Sequence, residues 1–171
     1  MLSFKYFTSF LCLTLATGCG FQPLYQADSV QVKDETSLIK ISMISNRDGQ
    51  ILRNYLLDSL NPYGEPTDPR YRLNIRLDVS GGSFSFRRDS TAARTIITSR
   101  ADFSLVDAST GQAILTTMAE ATTSYSLGPN ASTSAFPSIV AEKAEIERAM
   151  KLLAHEIKLQ IVSYMASKEK S

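Results

Sequence analysis

The sequence predicts an α+β domain, a four-stranded, mostly antiparallel sheet with two helices packed on one face. Three long segments alternate apolar and polar residues with the two-residue period of half-buried strands. Two further segments, one before and one after those three, carry apolar residues at the spacing of a helix. With a short strand near the start they give the order β-α-β-β-β-α. Packing both helices on one side of the sheet buries both apolar stripes.

The first part of the predicted domain is a strand, a helix and a loop. Residues 38–44 alternate loosely and predict a short strand. A helix capped by Asn46 or Asp48 follows and ends before Pro62, because proline cannot continue a helix. The stretch 62–69 is rich in proline and glycine and predicts a loop.

The three long strands follow one another with short connections. The first alternates over residues 70–79, and we expect a bulge or a bend at the Gly81-Gly82 pair, because a glycine inside a strand often marks one. The second covers 94–107 and the third 112–126. Turn-forming residues between these segments predict hairpins, and hence antiparallel pairing.

A long helix from Ser138 to about Ala166 closes the domain. At 1.5 Å per residue it is about 43 Å long, enough to lie along a whole sheet. We therefore place a single domain at 38–167 and a frayed tail at 168–171. The apolar stripe of this helix has one polar member and comprises Ile139, Lys143, Ile146, Met150, Leu153, Ile157, Ile161 and Tyr164.

The N-terminal segment 1–18 predicts a cleaved secretory signal peptide. Lys5 precedes an apolar run at 6–16, and small residues close the run directly before Cys19. The run is too short for a transmembrane helix, which needs about 20 apolar residues. An ordinary secreted protein with a cysteine near the cleavage point is the alternative to a lipid-modified one.

The four residues before Cys19, Leu-Ala-Thr-Gly, resemble the lipobox of bacterial lipoproteins. Alanine stands where that motif usually has leucine. The resemblance implies that Cys19 carries covalent diacylglyceryl and N-acyl lipids, which anchor a protein stably without a membrane span. Residues 19–37 then form the lipidated N-terminus and an extended tether.

The composition argues against several classes of partner and cofactor. Without residues 1–18 the chain has 17 basic and 17 acidic residues, so its total charge predicts no polyanion partner. Nucleic acid is a poor candidate because the chain is exported. Cys19 is the remaining cysteine, which leaves no disulfide and no cysteine metal site within the mature chain. We expect no cofactor apart from the lipid.

The sequence also carries no enzyme motif. It has no Gly-x-Ser-x-Gly elbow, no glycine-rich phosphate loop and no paired metal ligands. His155 is the single histidine and lies off the apolar stripe of the last helix, which favours a solvated surface residue. We expect a non-enzymatic protein, since a hydrolase would need unrelated polar residues to converge in space.

Positive charge is concentrated in the middle of the chain. From Arg70 to Arg100 there are seven arginines and two aspartates, a local balance of +5. Three of these arginines, Arg87, Arg88 and Arg94, lie at or beside the predicted hairpin tip. Because the guanidinium group binds phosphate in a bidentate manner, this face and tip are suited to an anionic headgroup. The alternative is a solvated face whose arginines prevent edge-to-edge pairing of sheets.

Three stretches carry a resemblance to a known family. Residues 19–25, Cys-Gly-Phe-Gln-Pro-Leu-Tyr, resemble the mature start of the lipopolysaccharide-assembly lipoproteins of the LptE family. Residues 49–54, Gly-Gln-Ile-Leu-Arg-Asn, and residues 136–142, Phe-Pro-Ser-Ile-Val-Ala-Glu, are similar to alphaproteobacterial members. The resemblance covers essentially the whole mature chain and implies a small sheet with two helices on one face.

The resemblance also implies a function. Members plug the LptD β-barrel, help it assemble and contact lipopolysaccharide during insertion into the outer leaflet. Gly20 is not the aspartate that retains many lipoproteins in the inner membrane, which implies the periplasmic side of the outer membrane. Arg87, Arg88 and Arg94 are our hypothesis for the contact with the lipid A phosphates. The alternative is an outer-membrane lipoprotein that binds another periplasmic ligand or envelope partner.

Overall fold

The computed structural model describes residues 35–85, 93–127 and 136–169, and it confirms the α+β class and the order β-α-β-β-β-α. Among these residues, no helix has the length and apolar character that a membrane span requires. The elements are strand β1 (Ile39–Ile41), helix α1 (Asn46–Leu60), strands β2 (Tyr71–Ser85), β3 (Ala93–Asp107) and β4 (Ala113–Leu127), and helix α2 (Phe136–Glu169).

The four strands form one sheet in the order β1-β2-β3-β4. β1 runs parallel to β2 because α1 carries the chain back between them, whereas the other neighbours are antiparallel. β1 is shorter than predicted. After Ser42 donates its N–H to Leu73 O at 2.9 Å, the chain leaves the sheet and turns into α1.

The odd-numbered residues of β2, β3 and β4 face the two helices. Leu77, Ala101 and Ala119 lie opposite one another across the three strands, and the two alanines are buried. Such small residues let a helix approach the sheet closely. From the helices, Leu56 and Ile157 are fully buried in the same layer. Each such side chain contributes about 1.5–3 kcal/mol to stability, so this layer holds the domain together.

Contacts between the helices fix them side by side. Lys158 Nζ of α2 donates to Ser59 O near the end of α1 at 3.0 Å, where a positive charge is favoured by the helix dipole. Tyr55 of α1 donates its hydroxyl to Glu147 Oε1 of α2 at 3.0 Å. This hydrogen bond raises the pKa of Tyr55.

The start of α1 differs from the predicted cap. Ser45 is the cap residue and makes no side-chain cap hydrogen bond, whereas Asn46 and Asp48 lie inside the first turn. Asn46 has a φ of 68°, a left-handed conformation that asparagine tolerates better than most residues. Gly49 permits the tight packing that follows, since a Cβ there would stand 2.6 Å from Ile44 Cγ2. The chain therefore enters α1 through a tight bend.

The glycine pair of β2 does not form the predicted bulge. β2 and β3 pair one residue to one along their whole length, and Gly81 lies opposite Ile97. A glycine fits a regular strand, whereas a bulge needs an extra residue. The irregularity lies instead between β3 and β4, where Ile114 is the extra residue opposite the step from Leu105 to Val106. This irregularity brings two successive apolar residues, Ile114 and Leu115, against the core.

The folded part begins before the predicted first strand. Glu35, Thr36 and Ser37 form a helical turn, and Thr36 is buried. Glu35 pairs with Arg70 at 2.8 Å. Asn61, just after α1, donates from Nδ2 to Ser37 O at 2.9 Å. The last residues of the predicted tether therefore contact the domain.

Helix α2 is longer than predicted and includes Lys168 and Glu169. Its apolar stripe is buried from Met150 to Ile161 and Tyr164 is half-buried, but Ile139 is 46% exposed, so this stripe member was predicted wrongly. α2 runs antiparallel to β4 and meets Thr123 at Glu145, where Thr123 Oγ1 donates to Glu145 O. Ile139 lies in the first turn of α2, about 9 Å beyond that contact and past most of the core.

Candidate functional site

One side of the sheet is not covered by the helices. We call it the open face, and its exposed side chains come from alternate positions of the three long strands. Charged and hydroxyl-bearing residues dominate it, as the alternation predicted. The open face consists of the even-numbered residues Arg72 to Ser80 of β2, Arg94 to Val106 of β3 and Thr116 to Ser126 of β4.

Opposite charges alternate in the centre of the open face. Asp78, Arg100 and Glu120 lie in one row across β2, β3 and β4, and Arg76 lies opposite Asp102 in the next. Arg100 Nε and Asp102 Oδ1 are 3.4 Å apart, with the side chains 50% and 56% exposed. A pair so exposed contributes about 0–1 kcal/mol to stability. The acids nevertheless offset the positive charge of Arg76 and Arg100.

Arg94 lies at one end of the open face, and among the described residues of the sheet no acid lies beside it. Its register partners are Phe84 on β2 and Ser126 on β4. Its guanidinium donates to Ser124 Oγ from Nε at 3.1 Å and from Nη2 at 2.7 Å. A neutral hydroxyl positions the guanidinium without cancelling its charge. Arg94 is therefore an exposed cation held in place.

A pair of cations lies at the opposite end of the sheet. Lys40 of β1 and Arg72 of β2 are register partners, both exposed, and Val106 lies on the other side of Arg72. Like charges directly opposite each other destabilise a sheet. Val106 and Arg94 are twelve residues apart on β3, so about 40 Å separates the two ends. We call Lys40 and Arg72 the cationic pair.

Arg70 has a structural role. Its Nη1 lies 2.8 Å from Glu35 Oε1, and its guanidinium carbon stands 5.4 Å from the centre of the Tyr71 ring. Tyr71 is buried, and burial raises the pKa of its hydroxyl. Arg70 thus ties the start of the domain to β2 and is not free for a ligand.

The predicted site residues are only partly within the described chain. Arg94 is described, whereas Cys19, Arg87 and Arg88 lie outside the described residues. β2 ends at Ser85 and β3 begins at 93, so Arg94 lies at the end of the sheet that is nearest in sequence to the other two arginines. The structure places Arg100 and Arg76 among acids. The sequence did not point to Lys40, because its partner depends on which strands become neighbours.

The described residues offer no metal site. In 35–85, 93–127 and 136–169 no three histidine, cysteine, aspartate or glutamate side chains are grouped to hold an ion. His155 is exposed on α2. An open groove of about 460 Å³ runs along the same helix and is lined by Glu156, Leu159, Gln160, Ser163, Tyr164 and Ser167.

One known protein family matches most of this chain. A family model described as "LptE: Lipopolysaccharide-assembly" matches residues 29–161. No curated protein matches the sequence.

Three solved structures share the fold. A protein from Caulobacter crescentus described as a candidate lipoprotein has a TM-score of 0.64 and 22% identity, covering 80% of this chain and 97% of that one. A minor lipoprotein from Acinetobacter baumannii has a TM-score of 0.51 and 14% identity, covering 73% and 91%. Rare lipoprotein B from Shewanella oneidensis has a TM-score of 0.50 and 16% identity, covering 77% and 95%. At these identities the similarity supports the fold alone.

Proposed function

This chain belongs to the lipopolysaccharide-assembly family LptE, and we propose that it is a non-enzymatic, lipid-anchored subunit of the outer-membrane lipopolysaccharide translocon. The observation that carries the proposal is the family match. It spans residues 29–161, which include β1 to β4, α1 and most of α2. Two of the solved structures that share this fold are described as lipoproteins, which agrees with the proposed lipid anchor.

We propose that Cys19 is the anchor. Fifteen residues separate it from Glu35, the first described residue, and they reach at most about 50 Å when extended. That length holds the domain close to the periplasmic side of the outer membrane. The Cys19→Ser variant is expected to lose labelling by radioactive palmitate while its domain keeps the melting temperature of the wild type. Labelling that persists in this variant would contradict the anchor.

The proposed place of the domain is inside an LptD-like β-barrel. The interior of a large barrel is polar, so a plug needs a polar surface. The open face supplies one over three strands of 15 residues each, while the helices cover the apolar side. The same face meets lipopolysaccharide on its way to the outer leaflet.

We propose that Arg94, with Arg87 and Arg88, binds the phosphates of lipopolysaccharide. The hydroxyl of Ser124 now accepts two hydrogen bonds from Arg94. A phosphate is a better acceptor, because it is charged and can accept two parallel hydrogen bonds from one guanidinium group. Arg100 is less available, since Asp102 already accepts from it and Asp78 and Glu120 flank it.

Lipopolysaccharide titration of a soluble variant that starts at Gly20 tests this contact. The triple variant Arg87→Ala, Arg88→Ala, Arg94→Ala is expected to bind at least tenfold more weakly, as the loss of charged hydrogen bonds of about 1.5–3 kcal/mol requires. Arg100→Ala is the matched control and should change the affinity by less than about twofold. Equal affinity of the triple variant and the wild type would contradict the contact.

Co-purification tests the proposed complex. The lipidated chain, extracted in detergent, is expected to bring down a β-barrel subunit, and its depletion is expected to lower lipopolysaccharide at the cell surface. A monomeric protein whose depletion leaves surface lipopolysaccharide unchanged would instead support a lipoprotein that binds another envelope ligand.

A further inference from the structure

The cationic pair has no acid as a direct neighbour in the sheet. Lys40 lies on the edge strand, where a lysine also prevents pairing with another chain, but Arg72 lies on β2 between two strands and has no such task. Within the described residues, neither side chain makes a hydrogen bond or an ion pair. An anion between the two would replace their repulsion by two attractions. The residues that adjoin the pair on the open face are Ser42, Asn74, Ser104 and Val106.

Asn74 adds a further donor beside the pair. It is the next open-face residue of β2 after Arg72, about 7 Å along the strand. Ser42 Oγ donates to Asn74 Oδ1 at 2.7 Å, which fixes the amide and leaves its Nδ2 for a ligand. The ammonium of Lys40, the guanidinium of Arg72 and this Nδ2 can donate hydrogen bonds but cannot accept them. Such a set is suited to an anion with several oxygen atoms, and a phosphate group fits the guanidinium best.

The acids at this end of the domain do not neutralise the pair. Glu35 is held by Arg70 at 2.8 Å, and the carboxyl of Asp107 accepts hydrogen bonds within the β3–β4 turn. Asp102 is the nearest acid along the described strands of the open face, about 13 Å from the row of the pair. With Asp68 in the loop before β2, acids and bases roughly balance over this end as a whole. The excess positive charge is therefore local, and it selects a single anionic group.

The chain that leads from Cys19 enters the domain at the same end. Glu35, the first described residue, contacts Arg70, which lies two positions before Arg72. The proposed anchor therefore keeps its lipid leaflet within about 50 Å of this end. Arg94 lies about 40 Å further along the sheet. Because a tether raises the effective concentration of what it connects, the phosphates of that leaflet meet the pair before any other cation of the open face.

Two exposed apolar side chains at this end favour a membrane surface over a dissolved anion. Tyr63 is 93% exposed in the loop after α1, and Leu38, directly before β1, is 37% exposed. The hydrogen bond from Asn61 Nδ2 to Ser37 O joins the start of that loop to the start of β1. Tyrosine is enriched where a membrane meets water, because its ring is apolar and its hydroxyl is polar. A dissolved anion makes no contact that needs these side chains.

We propose that the cationic pair, with Asn74, binds the phosphate of an anionic lipid headgroup in the leaflet that holds the lipid of Cys19. The phosphate lies between Lys40 and Arg72 and accepts hydrogen bonds from both. This contact turns the start of β1 and the loop after α1 toward the leaflet. The inference rests on the proposed lipid anchor and deepens it, because it names the surface of the domain that meets the membrane.

Chemical labelling of lysine tests the contact in the full-length lipidated protein. The protein is reconstituted in vesicles of phosphatidylcholine, with or without added phosphatidylglycerol. Acetic anhydride modifies exposed amines, and mass spectrometry measures the rate at each lysine. Lys40 is expected to react at least tenfold more slowly when phosphatidylglycerol is present, as the strength of hydrogen bonds to charged groups requires. Lys143 is exposed on α2 near the other end of the sheet and should react equally in both kinds of vesicle.

Substitution of Arg72 distinguishes a bound headgroup from general shielding by the membrane. In Arg72→Gln, Lys40 is expected to react nearly as fast with phosphatidylglycerol as without it, because one of the two charges is lost. Arg72→Lys keeps the charge and should retain most of the protection. Arg72 is exposed, so neither variant should change the melting temperature appreciably. High salt should remove the protection in the wild type.

The remaining outcomes separate the anchor from the headgroup contact. A wild-type protein that does not sediment with the vesicles removes the anchor, and this inference with it. A protein that sediments, but whose Lys40 reacts equally with and without phosphatidylglycerol, removes the headgroup contact and leaves the proposed function intact. Unchanged protection in Arg72→Gln contradicts a phosphate shared by the pair.

Two further samples identify the source of the anion. Inorganic phosphate is added to vesicles of phosphatidylcholine alone, and lipopolysaccharide is incorporated into a second set. Protection of Lys40 by inorganic phosphate equal to that by phosphatidylglycerol assigns the pair to a dissolved anion. Protection by lipopolysaccharide but not by phosphatidylglycerol assigns the pair to the transported lipid. Either result overturns the proposal.

Discussion

The two faces of the sheet are built from alternate residues of the same strands, yet they have different tasks. On the covered face, residues such as Leu105 and Ala101 are fully buried under the helices. On the open face, their chain neighbours Ser104 and Arg100 contact solvent, and the candidate binding residue Arg94 lies at the end of the same face. Stability and binding are therefore encoded one residue apart. Substitutions at adjacent positions should separate them.

The largest expected effect is on the covered face. Leu105→Ala leaves a cavity under the helices and should lower the free energy of unfolding by about 2–5 kcal/mol. Ser104→Ala, its neighbour on the open face, should change it by less than about 0.5 kcal/mol. Urea denaturation of the soluble variants measures both values. Similar losses at the two positions would contradict the division between the faces.

The next effect concerns binding at the end of the open face. Arg94→Ala should weaken lipopolysaccharide binding about tenfold while leaving the unfolding free energy nearly unchanged. Ser124→Ala removes the hydroxyl that positions the guanidinium and should weaken binding less. Fluorescence titration gives the affinities. An Arg94→Ala variant that binds like the wild type would show that lipopolysaccharide contacts other residues and not Arg94.

A smaller effect distinguishes the centre of the open face from the cationic pair. Arg72→Glu places an acid opposite Lys40 and should stabilise the domain by about 0.2–1 kcal/mol. Arg100→Glu places an acid between Asp78 and Glu120 and should destabilise it by a similar amount. Both effects should shrink in high salt. If the strand register is right, denaturation curves should show a gain in stability for Arg72→Glu and a loss for Arg100→Glu, and both changes should be smaller at high salt than at low salt.

The smallest effect is a pH dependence at the β3–β4 turn. Hydrogen bonds from the Ser109 hydroxyl and from the backbone N–H groups of Thr110 and Ser109 lower the pKa of Asp107. A carboxyl whose pKa is lowered in the folded state stabilises the domain above its unfolded pKa of about 3.9. That contribution is lost as the pH falls through the folded value. The melting temperatures of the wild type and Asp107→Ala should therefore converge below about pH 4.

The periodicity of the sequence predicted correctly which residues of a strand face the helices. It did not predict which residues lie beside each other on neighbouring strands. Alternation alone identified Leu73 and Leu105 as inward and Arg72 and Arg100 as outward, because side-chain direction depends only on the local backbone. Pairing depends on which strands become neighbours. The local charge of +5 over residues 70–100 is partly offset in the sheet, because Asp102 and Glu120 follow that segment in the chain but lie beside the central arginines.

The residues of the candidate site also differ in whether the sequence alone could identify them. Arg94 was identified by its place beside the predicted hairpin, and it is an exposed cation. Lys40 was missed because it lies 30 residues away in the chain from the arginine-rich segment. Cys19, Arg87 and Arg88 remain predictions from the sequence.

The separation of about 40 Å between Arg94 and the cationic pair has a thermodynamic consequence. Groups that far apart share no contacts, so a small ligand engages one end without sensing the other. Substitutions at the two ends should then have additive effects on binding free energy. Non-additive effects of Arg94→Ala and Arg72→Ala would show that one bound molecule spans the length of the sheet. A double-mutant cycle thus measures the size of the ligand that this surface recognises.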